Sequence, residues 1–328
     1  MSKFHFDPAL DRQRTQYGHS VGIISKLFYD SLSKLGEVTY IDCKENLKGQ
    51  EFDLLVGMPR NFHTLTHYNK IGLSICYLNV SAPGYTKRTL NEEAKKLGCK
   101  LSDCFVPRKF QHADHFFMLG SDFVKEQYIK EGMDPTKITM LNYGMEAIPF
   151  KPRDINRPPR FLHLATTMGL RKGFWHVIND FKKANLDSEL HCVGKVPNER
   201  FWYEFAREAA KDPRIFIHGW INCSDPKYAE IIHNSDFIVF PSLAEGQGGT
   251  TMEGIASGCV PIVAEESAFP HYPIGPYIRG DVSVWHRAYN LDNKRFREIQ
   301  LEMQELLRTK YNNNIFKQIV EDTIKKLI

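Results

Sequence analysis

The chain has 328 residues, of which 42% are hydrophobic, enough apolar material to fill two cores rather than one. Residues 1–150 carry 19 basic and 17 acidic side chains and residues 151–328 carry 24 and 22, so each half is only +2. So weak a field excludes nucleic acid as an expected partner and leaves room only for peripheral contact with an anionic membrane.

The first apolar stripe, Ile24, Leu27, Phe28, Leu32 and Leu35, has helical spacing and stops at Gly36, a residue suited to the position just past a helix. Short apolar runs at 38–41, 53–57 and 71–78 predict strands. Ser121 is a good cap for a helix over 122–131, which Gly132 ends, and a strand over 138–141 follows. The stretch 151–159 is polar and proline-rich and cannot continue a core, so it divides a first domain, 1–150, from a second, 151–328. In the second domain strands are predicted over 160–165, 189–193, 215–218, 237–240 and 260–264, with helices over 173–183, 199–211 and 227–233. Phe174, Val177, Ile178 and Phe181 line one face of the first of these helices. The alternation predicts an α/β fold of two Rossmann-like domains, each with a parallel sheet covered on both faces. Ligands of such sheets bind beyond the carboxyl ends of the strands, where Thr166, Gly219 and Glu245 should share one crevice. The tail, 294–328, reads as one or two amphipathic helices with Phe296, Ile299, Met303, Leu306 and Leu307 facing inward.

No run of apolar residues is long enough for a membrane span, and residues 1–7 have no signal-peptide character. Seven cysteines without a Cys-x-x-Cys fit a reducing cytoplasm. Cys99, Cys104, His112 and His115 form one candidate metal cluster, but their spacing departs from that of zinc sites, so no metal is expected.

The chemistry concentrates in the segment Phe240-Pro241-Ser242-Leu243-Ala244-Glu245-Gly246-Gln247-Gly248-Gly249-Thr250-Thr251-Met252-Glu253-Gly254. A strand runs into a turn bearing Glu245, then a glycine-rich bend, then a helix bearing Glu253. Glycines let backbone N–H groups approach a ligand, and a helix start favours phosphate. Glutamates on either side can accept hydrogen bonds from hydroxyls, so the segment suits a nucleotide-sugar. The plainer alternative is a capping box, Thr250-x-x-Glu253, in which Glu253 only ties down the helix start.

This segment resembles the Glu-x7-Glu signature of retaining glycosyltransferases of the family 4 type, with the GT-B fold of two Rossmann-like domains facing each other across a cleft. Ala113-Asp114, Ser121, Lys137-Ile138, Asn142-Tyr143-Gly144-Met145-Glu146 and Phe150-Lys151-Pro152 resemble the end of that family's N-terminal, acceptor-side domain. Arg171-Lys172-Gly173 is placed like its Lys-Gly. There are departures: Thr167 stands where the family has an arginine, Tyr17-Gly18-His19 replaces its Gly-Gly loop, and 79–84 lacks its histidine.

The resemblance implies metal-independent transfer of a sugar from a nucleotide-sugar, UDP- or GDP-linked, with retention, to a glycan, lipid-linked or small-molecule acceptor. Glu245, Lys172 and Arg171 are the candidate catalytic residues. Glu245 would hold the sugar and Glu253 the ribose. Gly246, Gln247, Gly248, Gly249, Thr250, Gly219 and Gly18 complete the donor site. Breaking the sugar–phosphate bond leaves negative charge on a diphosphate, which cations and oriented amides neutralise. Lys172, Arg171 and the amides of Gly248 to Thr250 supply these without metal, and no Asp-x-Asp metal clamp exists. Trp220 either borders the base or packs in the core, and His19, His63 and His67 are candidates to assist on the acceptor side. A catalytically inactive nucleotide-sugar or partner-binding protein, or an epimerase or phosphorylase on the same scaffold, is the alternative function.

Overall fold

The computed structural model describes residues 3–6, 20–41, 47–101, 110–145, 150 and 152–328. β1 (Lys3–Phe6), β2 (Glu37–Tyr40), β3 (Glu51–Gly57), β4 (Lys70–Leu78), β5 (His115–Leu119) and β6 (Ile138–Leu141) form one sheet of order β2-β1-β3-β4-β5-β6. β7 (Arg160–Thr167), β8 (Glu189–Lys195), β9 (Ile215–Gly219), β10 (Phe237–Phe240) and β11 (Val260–Val263) form a second, of order β11-β10-β7-β8-β9. The pairings within both sheets are parallel. β5 and β10 are buried at every residue, as strands are when helices cover both faces. The α/β architecture of two Rossmann-like parallel sheets is thus the one read from the alternating pattern.

The division of the chain is more involved than a single boundary near residue 150. One compact unit comprises Met1–Pro83, Phe105–Glu146 and Lys310–Ile328, and the other Gly84–Cys104 and Ala147–Thr309. The last helix, Asn313–Leu327, belongs to the first unit, where Phe316 meets Phe28 at 5.1 Å between ring centroids and Glu321 pairs with Lys34 at 2.7 Å. The helix Pro83–Leu97, absent from the sequence reading, belongs to the second unit, where the buried Glu93 lies 3.0 Å from His176. An amphipathic stripe says that a helix needs an apolar surface; it does not say which of two cores provides one.

β1 and the helix Pro59–Tyr68 also lack a clear signal. That helix is polar along much of its length, and its opening proline reads as a turn although it is well suited to a first helical turn. Ser121 stands at the predicted N-cap of Asp122–Lys130 but makes no side-chain capping bond. In the second unit Phe161, Phe181 and Trp285 form the aromatic centre of the core, with ring centroids 4.9 to 6.2 Å apart. Among the described residues no helix is long and apolar enough to cross a membrane.

Candidate nucleotide-sugar site

In the second sheet β7 lies between β8 and β10. The chain lays β8 and β9 on one side of β7, then crosses to add β10 and β11 on the other. The loops leaving the carboxyl ends of the adjacent strands β7 and β10 therefore meet where the strand order reverses, the place where open α/β sheets bind ligands. The β7 loop carries Arg171, Lys172 and Gly173; the β10 loop carries Ser242, Glu245 and Gly246 to Gly248.

The two loops are tied together. Leu243 N donates to Arg171 O at 2.8 Å, and Ser242 Oγ lies 2.8 Å from the same oxygen. Gly173 has φ of 71°, and a Cβ there would stand 2.2 Å from Pro241 O, so only glycine permits this approach. As a result Glu245 Oε1 lies 2.5 Å from Arg171 Nη1, 2.6 Å from Lys172 Nζ and 2.9 Å from Ser242 Oγ. The three predicted catalytic residues are thus in direct contact. Lys172 Nζ also sits over the Phe240 ring, 5.0 Å from its centroid, and Gly248 packs so close to that ring that a Cβ would lie 2.8 Å from it. Burial works against the charge of Glu245, but the Arg171 and Lys172 charges outweigh it and hold the carboxyl below its usual range. One carboxylate between two cations leaves a net +1, and Arg171, 31% exposed, presents that charge to solvent.

The glycine-rich bend continues into the helix Gly249–Ala256, with Gly248 at its N-cap. Ser267 anchors the bend, its Oγ donating to Phe240 O at 2.6 Å and its carbonyl accepting from Gly248 N at 3.2 Å. The amides of Gly249 and Thr250 occupy the first turn, where no carbonyl of the same helix can receive them. Gly246, Gln247 and Gly248 are buried in the bend, and the buried Thr250 Oγ1 has no hydrogen-bond partner among the described residues.

The capping box is not formed. Glu253 Oε2 instead accepts from Tyr228 Oη at 2.5 Å. Burial pushes the Glu253 carboxyl above its ordinary range, and the Tyr228 hydrogen bond opposes that push.

The remaining candidates are not gathered here. Gly219 ends β9, three strand spacings or about 14 Å from β10, with φ of 72° and open space on its Cβ side. Trp220 is 56% exposed, which removes the core-packing reading. Thr166 lies inside β7 and points out to solvent. Gly18 and His19 lie outside the described residues. His63 and His67 line a separate cavity of about 540 Å³ in the first unit with Thr66, Gln111 and His112. Of the four metal candidates, Cys104 lies outside the described residues, Cys99 belongs to the second unit and His112 and His115 to the first. His115 Nε2 is occupied 2.8 Å from Thr139 Oγ1. Ser242, Ser267 and Tyr228 are site residues beyond those expected from the sequence. Ser242, three positions before Glu245, was open to detection; Tyr228, 25 positions before Glu253, carried no local signal.

Residues 158–273 match the family described as Glycosyl transferases group 1. The fold is of the GT-B glycosyltransferase type. A sucrose-phosphate synthase from Thermosynechococcus elongatus superposes with a TM-score of 0.72 at 12% identity, over 100% of this chain and 99% of that one. Anabaena Alr3699/HepE in complex with UDP-glucose superposes with a TM-score of 0.69 at 11% identity, over 99% and 100%. A glycosyltransferase from Rickettsia africae gives 0.64 at 14%, over 99% and 98%. No curated protein matches the chain. At such identities the likeness is one of fold, whereas the family match spans the β7 and β10 loops and both glutamates.

Proposed function

We propose that this protein transfers a sugar from a nucleotide-sugar, UDP-linked in the first instance, to a glycan, lipid-linked or small-molecule acceptor, with retention and without a metal ion. The observation that carries the reading is the Glu245–Arg171–Lys172 cluster on the loops beyond the carboxyl ends of β7 and β10, beside the start of Gly249–Ala256. A diphosphate arriving at these loops competes with Glu245 for the two cations. The cations and the Gly249 and Thr250 amides then neutralise the leaving diphosphate as the sugar bond breaks. Glu245, displaced from its partners, turns to the hydroxyls of the sugar, and Glu253 receives those of the ribose. The acceptor oxygen bonds to the anomeric carbon on the face from which the phosphate departs and gives its proton to that phosphate, and attack on this face gives retention. Cysteine usage favours a cytoplasmic setting, and any membrane contact is peripheral. The test is release of UDP from UDP-glucose and related donors by the purified protein, with and without EDTA. Turnover that persists in chelator is expected. Turnover abolished by EDTA and restored by manganese refutes the metal-free route, and absence of binding to any UDP- or GDP-sugar refutes the donor assignment.

A further inference from the structure

Glu253 stands on the helix Gly249–Ala256, but its carboxylate is fixed by another element. The helix Pro226–His233 is started by Pro226 and capped by Asp225, whose carboxylate accepts from Lys227 N at 2.9 Å. Its first turn presents Tyr228, which packs against a buried cluster including Leu162, Leu164, Ile232 and Ile238. The helix bearing Glu253 is seated on the same cluster: at Gly254 a Cβ would lie 2.8 Å from Ile238 Cβ. Both ends of the Tyr228–Glu253 hydrogen bond are therefore set by the core rather than by solvent. Tyr228 takes Oε2, while Oε1 has no hydrogen bond to a described residue.

We infer that Tyr228 is a positioning residue for nucleotide binding: by holding Oε2 it aims Glu253 Oε1 at the ribose hydroxyls of a nucleoside diphosphate. The inference rests on the donor-site reading above. A phenol donor also favours the ionised carboxylate, the form that accepts from two hydroxyls, against the effect of burial. Cys223, in the loop before the same helix, is near enough to feel the Glu253 charge; partial burial and that carboxylate raise its thiol above the ordinary range.

Tyr228→Phe keeps the ring and its packing and removes only the donor. UDP and pyrophosphate affinities of wild type, Tyr228→Phe and Glu253→Gln are measured by calorimetry from mildly acidic to mildly alkaline pH, with thermal melts as a control. Tyr228→Phe is expected to stay folded with a modestly lower melting temperature, to bind UDP about tenfold more weakly at neutral pH, and to bind pyrophosphate as wild type does. Its loss of UDP on acidification should set in at higher pH, because the hydrogen bond that favoured the charged carboxylate is gone. If Tyr228→Phe matches wild type in affinity and pH profile while Glu253→Gln is impaired, the positioning role is wrong and the nucleotide site stands. Equal loss of UDP and pyrophosphate also overturns it, since that marks general damage to the site. If wild type binds neither UDP nor GDP, the donor-site reading falls and this inference falls with it.

Discussion

Lys172→Ala probes the diphosphate site most directly. The ammonium group lies 2.6 Å from Glu245 Oε1 and 5.0 Å from the Phe240 ring centroid, with its side chain 14% exposed. A hydrogen bond from a charged group is worth about 1.5–3 kcal/mol, so losing Lys172 should weaken UDP about tenfold to a hundredfold. A second effect has the same sign. With Lys172 gone, Glu245 and Arg171 cancel, and a diphosphate meets a neutral cluster instead of a net positive one. Lys172→Arg keeps the charge and should recover part of the affinity, though its planar fork cannot reproduce the fit of a point charge over Phe240. The assay is titration calorimetry with UDP at fixed ionic strength, with melts showing that the variant is folded. A folded Lys172→Ala that binds UDP within about twofold of wild type refutes the diphosphate assignment.

Glu245→Gln should behave differently, holding or improving UDP affinity because its cations are released to the ligand, while turnover falls by roughly a hundredfold or more. Its melting temperature without nucleotide should drop, since Arg171 and Lys172 lose the Glu245 charge between them, and UDP should restore it; loss of UDP binding contradicts this account. The Glu245 carboxyl is held below its usual range, so its stabilising share is present above the unfolded pKa and lost as pH falls through the folded one. The melting difference between wild type and Glu245→Gln should accordingly shrink in acid, and a constant gap refutes the ion-pair origin. For Glu253→Gln the sign reverses: burial raises its carboxyl, whose contribution is lost as pH rises through the folded pKa, so the amide should melt at the same or a higher temperature at neutral pH while binding UDP more weakly. An unchanged UDP affinity removes Glu253 from the site. Gly173→Ala puts a Cβ 2.2 Å from Pro241 O at positive φ and should cost at least about 1–3 kcal/mol, read by denaturant unfolding; a neutral substitution would show that the two loops are not held as described.

Much of the second unit was legible in the sequence. Phe237 to Phe240 is a short, wholly apolar run because both faces of β10 are covered, and Phe174, Val177, Ile178 and Phe181 keep helical spacing because one face of their helix is buried. These are local consequences of periodicity. The turn bearing Glu245, the bend at Gly248 and the helix bearing Glu253 were legible for the same reason, since glycine and helix-start preferences act over a few residues.

Other features depend on residues distant in the chain. Sequence assigned Arg171 and Lys172 to a ligand and Glu245 to a sugar, but their mutual ion pairs arise only because strand order sets β7 beside β10, some 70 residues apart. Whether Glu253 would cap its own helix or meet another residue was equally open, because Thr250-x-x-Glu253 satisfies the capping pattern on paper. The seating of Gly254 on Ile238 and the arrival of Tyr228 from Pro226–His233 decided it. The sequence by itself determined most strands and helices of the second unit and which segments carry polar chemistry, since those depend on neighbours three or four positions away. Only the tertiary structure determined which core receives Asn313–Leu327 and Pro83–Leu97 and which oxygen of Glu253 remains to meet a ligand, because apolar surfaces and hydrogen-bond donors carry no record in sequence of the partner they will find.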